Sequence, residues 1–219
     1  MGPVKSLVER AAAAVRSAMA GEGSGHDWWH VWRVWRLAER LARSEPRADR
    51  RVVALGALLH DLGDWKFHGG DEEAAPREAG RLLKRLGAEG ATVERVQAVC
   101  REVSFKGAGV ADRPGSIEAR IVQDADRLDA IGAIGVARTF AYGGAKGRLL
   151  YEPGVKPVLH ARFAAYKRSR SHTINHFPEK LMLLKKRLHT REARRLARER
   201  HAFLVTFLKQ FHREWRGEA

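Results

Sequence analysis

The chain has 219 residues, of which 44% are hydrophobic and 31% are charged, and its formal net charge is +15. This length suits one domain, and apolar residues in this proportion supply a core and exclude an intrinsically disordered chain. The sequence has no run of about 18 uncharged apolar residues, so no membrane span is expected. Its single cysteine, Cys100, excludes an intrachain disulfide and fits a reducing compartment, and we expect a cytoplasmic protein.

Apolar residues recur at helical spacing along the chain, and the alternation typical of strands is missing, so the sequence predicts an all-α fold. Of the first five predicted helices, the second starts near Asp27, and the other four cover about 4–20, 48–62, 72–87 and 91–103. A sixth, 117–132, continues or restarts through 133–142. The Gly- and Pro-rich residues 143–157 predict a long loop, followed by closing helices at about 175–189 and 191–215.

No internal repeat or low-complexity linker divides the chain, so we expect residues 1–219 to form a single domain. Its core covers about 22–142, and a C-terminal helical pair covers about 157–216.

Polar residues interrupt the apolar stripes of three predicted helices. His30 lies on the stripe of the second, His60 and Asp61 end the third, and Asp126 lies inside the sixth. Alone, such a histidine is usually a hydrogen-bonded core residue, and an acid at a helix end is usually solvated. Together they bring carboxylates toward one core, where burial demands cations or hydrogen bonds, and a divalent ion with imidazole and carboxylate ligands would supply the cation.

The order H…HD…D formed by these residues resembles the HD-domain superfamily of metal-dependent phosphohydrolases. The surrounding stretches GHDWWHVWRV, ALLHDLGDWKF, VSFKG and QDADRLDAIGAIGVARTF strengthen the resemblance. The later stretch from SHTINHFPEK to FHREW is similar to the tail of a bacterial subgroup of nucleotide pyrophosphohydrolases, although Pro178 departs from the aromatic residue expected there. The resemblance implies a helical bundle with a metal site between its helices.

The resemblance also implies the metal ligands His30, His60, Asp61 and Asp126. His26 precedes the predicted helix and lies outside the expected ligand set. Mixed imidazole and carboxylate ligands favour Mn, with Fe, Co, Ni or Mg as alternatives.

Three further residues are candidate catalytic groups. Asp64 matches the position where related enzymes place an acid near the attacking water. Lys66 and Arg127 are the cations nearest to the motif in sequence and are candidate phosphate donors; a surface salt bridge with Asp124 is the alternative for Arg127. Lys106 is a further candidate donor, and Trp28, Trp29 and Trp65 either stack on a base or pack in the core.

We therefore expect an enzyme that hydrolyses a phosphoanhydride bond of a small anionic substrate, in particular a nucleotide, by metal-activated water. A nucleotidase or a phosphodiesterase on the same site is the alternative enzyme. The basic run 185–201 either is the solvated face of a helix or serves a nucleic-acid-binding module. The module would leave the H…HD…D pattern unexplained, so nucleic acid is not the expected partner. A homo-oligomer stays open.

Overall fold

A computed structural model describes residues 5–20, 27–62, 71, 73–103, 114–159 and 171–218. Helices are the only regular elements in these ranges, which confirms the prediction of an all-α fold. The α-helices are α1 Leu7–Ala18, α2 Trp28–Ala42, α3 Arg50–Leu59, α4 Ala74–Arg85, α5 Gly90–Val103, α6 Ile117–Asp129, α7 Gly132–Ala145, α8 Met182–Leu184 and α9 Arg191–Trp215.

The first three helices begin where polar side chains accept hydrogen bonds from the first turn. Ser6 and Glu9 form a reciprocal capping box on α1, Asp27 accepts from the His30 N–H on α2, and Asp49 accepts from Val52 on α3. At the other end, α3 stops at Leu59 rather than at residue 62. The predicted ligands His60 and Asp61 therefore follow the helix instead of forming its last turn.

Contacts divide the chain into two compact units, and the division falls inside α6. The described part of the first unit comprises residues 5–103 and 114–126. The central helix of this unit is α3, in which every residue from Val52 to Leu59 is buried. It packs against α1, α2 and α5. The prediction of a single domain stays a prediction.

A polar network joins the starts of α3 and α6 to α5. Glu118 accepts from the Asp49 N–H at 2.9 Å, and Arg95 donates to the Asp49 carboxylate at 2.7 Å and to Glu118 at 3.2 Å. Partial burial alone would raise the pKa of Asp49, but hydrogen bonds from the Val52 N–H and from Arg95 hold it below its ordinary value. The network thus joins the starts of α3 and α6 to α5 through three side chains.

The second unit contains the end of α6 together with α7, α8 and α9 in its described part. Gly132 begins α7 with a φ of +80°, which only glycine adopts without strain, so the chain restarts a helix here rather than extending α6. The predicted loop also begins later, because α7 continues to Ala145.

The predicted closing helix 175–189 corresponds to an irregular helical stretch that runs without a break over residues 173–187. Short 3₁₀ segments cover Thr173–Asn175 and Lys185–Arg187, and a π-helical turn covers Phe177–Leu181 before α8. Pro178 lies in that turn, and proline has no N–H to donate and crowds the preceding turn. By contrast, the predicted helix 191–215 matches α9.

Aromatic side chains fill the space between α7, the π-helical turn and α9. Phe177 stacks on Phe207 with ring centroids 5.5 Å apart, and Phe140 contacts both rings at 6.2 and 5.9 Å. Aromatic pairs of this kind add stability beyond the area they bury. They fix one face of α9 against the rest of its unit.

Within the described ranges, none of the helices has the length and apolar character needed to cross a membrane.

Candidate metal centre

His30 enters the core of the first unit from α2. It lies on the same buried face as Val31, Val34 and Ala38, and its own side chain is completely buried. Because Asp27 caps the helix through the His30 N–H at 2.9 Å, the first turn that carries this imidazole is fixed at its start. An imidazole in such a position needs a polar partner.

His60 is buried directly after α3, and its backbone contact determines its tautomer. Its Nδ1 lies 2.8 Å from the carbonyl oxygen of Ala57, which can only accept, so Nδ1 donates, and in the neutral imidazole Nε2 carries the lone pair. Nε2 is buried and makes no hydrogen bond with any residue in the described ranges. A backbone carbonyl on one ring nitrogen is the usual way that proteins orient a histidine toward a metal.

Two carboxylates lie next to these imidazoles. Asp126 on α6 places Oδ1 at 3.5 Å from His30 Nε2 and at 3.8 Å from His60 Nε2. Asp61 places Oδ2 at 3.1 Å from His30 Nε2 and Oδ1 at 3.6 Å from His60 Nε2. The structure thus brings together all four residues that the sequence predicts as metal ligands.

The four residues do not contribute equally to the geometry. One ligand atom from each of His30, His60 and Asp126 lies within 4.8 Å of the other two, which makes these three a candidate metal site. Asp61 directs a different oxygen at each imidazole. Ligand atoms about 2 Å from one ion lie up to about 4 Å apart, so the measured separations suit a shared ion.

Exposure separates the two acids. The Asp126 side chain is 29% exposed and that of Asp61 is 11% exposed, whereas both imidazoles are buried. Solvent therefore reaches the cluster on the carboxylate side, which is where a water molecule or an anionic substrate has access.

Arg127 follows Asp126 but differs from it in surroundings. Consecutive helical side chains project about 100° apart. The Arg127 side chain is buried and donates through Nη1 to the carbonyl oxygen of Arg187. Asp124 is buried as well, so an ion pair between these two residues would not lie on the surface.

Several sequence predictions lie outside the described residues, namely those for His26, Asp64, Trp65, Lys66 and Lys106. Of the other aromatic candidates, Trp28 is half-buried, and Trp29 is 55% exposed and packs edge-on against Trp32 at 6.1 Å. Trp29 is therefore not a core residue.

Two features of the site were not found from the sequence. The carbonyl oxygen of Ala57 has no side-chain signal, because any residue at that position would supply it. The second feature is the environment of Cys100: burial raises the pKa of its thiol to about 12, and the charge of Asp61 contributes in the same direction. A helical-wheel comparison of α5 could have placed Cys100 on the buried face with Val93, Val96 and Val103.

Comparison with known proteins agrees with this geometry. A family model described as the HD domain matches residues 28–131. The uncharacterized protein YpgQ of Bacillus subtilis is 39% identical over 204 residues, which cover 93% of this chain and 91% of that protein. The crystal structure of YpgQ in complex with ADP aligns with a TM-score of 0.72 and 35% identity over 95% of this chain and 100% of that chain.

Two further solved structures are similar over nearly their whole lengths. A protein of Lactobacillus plantarum aligns with a TM-score of 0.87 and 32% identity over 99% of this chain and 100% of that chain. An HD-superfamily hydrolase of Bacillus thuringiensis aligns with a TM-score of 0.71 and 37% identity over 95% of this chain and 96% of that chain.

Proposed function

The chain belongs to the HD-domain family, and we propose that it is a metal-dependent phosphohydrolase that cleaves a phosphoanhydride bond of a nucleotide. The observation that carries the proposal is the cluster of His30, His60 and Asp126, in which the buried Nε2 of His60 has its lone pair directed away from Ala57.

The donor set suits a divalent transition metal. His30 and His60 offer neutral nitrogens, and Asp61 and Asp126 offer two negative charges that would balance those of the ion. Mixed nitrogen and oxygen donors favour Mn, with Fe, Co, Ni and Mg as alternatives. When bound, such an ion supplies a Lewis acid for a phosphoryl oxygen and lowers the pKa of a bound water.

Other residues would act on the substrate and on the water. Asp64 positions or deprotonates the attacking water, and Lys66 stabilises charge on non-bridging phosphate oxygens. Arg127 is the second proposed phosphate donor, although its buried guanidinium already donates to the carbonyl oxygen of Arg187.

Two observations support a nucleotide as the substrate. YpgQ, which is 39% identical, has been crystallised in complex with ADP. The formal charge of +15 attracts anionic molecules, although it selects no particular base or sugar.

The proposal is tested by a substrate panel on metal-stripped protein. Nucleoside mono-, di- and triphosphates and a cyclic nucleotide are incubated with Mn, Co, Ni or Mg, and the products are identified by ion-exchange chromatography. We expect metal-dependent release of a nucleoside monophosphate with pyrophosphate or orthophosphate from a substrate that contains an anhydride bond. Cleavage confined to monophosphates would indicate a nucleotidase, opening of the cyclic diester would indicate a phosphodiesterase, and hydrolysis of none of them would contradict the proposal.

A further inference from the structure

The long helix α9 carries its basic residues on one line. Arg191 is followed at intervals of 4, 3, 11, 4 and 3 residues by further bases, and with 3.6 residues per turn these intervals return to the same face. All of these side chains are exposed. We call this line the basic stripe; its members are Arg191, Arg195, Arg198, Lys209, Arg213 and Arg216.

The acidic residues of α9 lie apart from the basic stripe. Glu192, Glu199 and Glu214 are separated by 7 and 15 residues, which places them together at about 100° to one side. An ordinary solvated helix gains from opposite charges interleaved at intervals of three or four residues. Within α9 only Arg195 of the stripe pairs with these acids, Glu192 and Glu199, whereas each other member has a base three or four residues away.

Several members of the basic stripe are available to a partner. Arg195 is held by Glu192 at 2.8 Å, and Arg216 is held by Glu218 at 2.6 Å. In the described part of the chain, Arg191, Arg198 and Lys209 have no ion pair. Two side chains of the stripe are therefore held by acidic residues, whereas bases at its start and in its middle make no ion pair within the described ranges.

The opposite face of α9 is not available for insertion into a lipid surface. Helices that lie in a membrane interface insert large apolar residues opposite their charged face. On α9 the residues opposite the stripe include Ala193, Ala197 and Leu204, which are buried in the protein core. Along the stripe between Arg198 and Lys209 lie the small exposed residues Ala202 and Thr206, and the large exposed apolar residues of α9, Phe203 and Trp215, lie about 110–130° away on opposite sides of it.

We propose that the basic stripe binds the phosphate backbone of a nucleic-acid duplex. The helix has 25 residues and is about 37 Å long, and one strand of a duplex places a phosphate about every 3.4 Å along its axis. The stripe is thus as long as a row of about ten successive phosphates on one strand. The side chains offer point charges and guanidinium donors for phosphate oxygens, so the binding would not depend on base sequence.

The proposal is tested by fluorescence anisotropy of the full chain with labelled duplexes of about 20 base pairs, one of DNA and one of RNA, across a salt series. Three to six neutralised phosphates predict that log K falls against log salt with a slope of about −3 to −5. The variant Arg198→Glu with Lys209→Glu should bind roughly 60-fold more weakly at about 0.1 M salt and show a slope less steep by about two. Thermal melts verify that both proteins are folded.

A matched control reverses two exposed bases on another helix, Arg10→Glu with Arg16→Glu on α1, and so gives the same net charge. We expect it to bind duplex within about threefold of the unchanged protein, because net charge alone acts weakly through salt. Vesicles of phosphatidylcholine and phosphatidylserine serve as the lipid arm. The proposal is overturned if neither duplex is bound, if both variants lose affinity equally, or if the vesicles are bound and the duplexes are not.

Discussion

At the end of α3, the Nδ1 proton of His60 is donated to the carbonyl oxygen of Ala57, and this leaves Nε2 within 3.8 Å of Asp61 and Asp126. A single backbone hydrogen bond thus determines which nitrogen is available to an ion. The identities of the four cluster residues could be predicted from the sequence, because polar residues interrupt apolar stripes there. That Asp61 directs a different oxygen at each imidazole could not be predicted, because this depends on where the chain turns after Leu59.

Asp64 provides a residue-scale prediction that separates chemistry from metal binding. Asp64→Asn keeps the size and the hydrogen-bonding capacity of the side chain but removes its charge and basicity. We expect kcat to fall by roughly 10², the usual scale for losing general-base help, with metal content and KM nearly unchanged. Asp71→Asn, which changes an exposed acid paired with Arg77, is the matched control. A kcat close to that of the unchanged enzyme would refute the catalytic role of Asp64.

Cys100 gives a second residue-scale prediction, about reactivity. Its thiol is buried and its pKa is raised to about 12, so the reactive thiolate is scarce at pH 8. We expect iodoacetamide to label the folded protein at least about 10³-fold more slowly than the protein in denaturant. Because the folded pKa exceeds the ordinary value of 9.0, the stability contributed by the neutral thiol is complete below pH 9 and is lost as the pH rises toward 12. Equal labelling rates in both states would contradict this burial.

At the scale of elements, α3 is the buried helix on which the site depends. It packs against α1, α2 and α5, and its end delivers His60 and Asp61. Gly56 makes the contact with α5 close: a Cβ at this position would lie 2.7 Å from Val99 Cγ1. The branched side chain of Val99 cannot easily move aside.

We therefore predict that Gly56→Ala lowers the free energy of unfolding. Overpacking costs about 1–3 kcal/mol, and the better helix propensity of alanine offsets up to about 1 kcal/mol of it. Gly90→Ala is the control, since no atom lies within 4 Å of the Cβ that this change would add. Urea denaturation of both variants measures the difference, and an unchanged midpoint for Gly56→Ala would show that the helices separate without cost.

The helices were predictable to different degrees, for physical reasons. Asp27 gives a local start signal, and α9 has a long amphipathic period, so the starts of α2 and α9 follow from the sequence. The segment before α9 has apolar residues at helical spacing too, but Pro178 breaks its hydrogen-bond pattern into short turns. The sequence predicts the end of α3 too late, because residues 60–62 contain no strong stop residue before Gly63.

At the scale of the whole molecule, the formal charge of +15 is concentrated late in the sequence. The run 185–201 contains eight Lys and Arg residues and only two Glu. Exposed charges interact over about 8 Å at physiological ionic strength, so this run affects hydrolysis only if it touches the substrate.

We predict that Arg194→Glu with Arg198→Glu changes the turnover of a free nucleotide by less than about twofold at physiological salt. The variant Arg10→Glu with Arg16→Glu, which carries the same charge change on α1, should behave alike. Steady-state kinetics on folded samples checks this expectation. A large loss of turnover confined to the α9 variant would show instead that the run contacts the substrate.

The metal content of Asp126→Ala tests the central claim most directly. Asp126 is one of the three residues that define the candidate site, and Glu118→Ala on the same helix removes a carboxylate that contacts Asp49 and Arg95 instead. After loading with Mn and desalting, inductively coupled plasma mass spectrometry should find about one ion per chain in the unchanged protein and in Glu118→Ala, because that variant keeps all four proposed ligands. Asp126→Ala should lose most of the metal and the activity while its circular dichroism stays helical. A full complement of metal with normal turnover in Asp126→Ala would contradict the account.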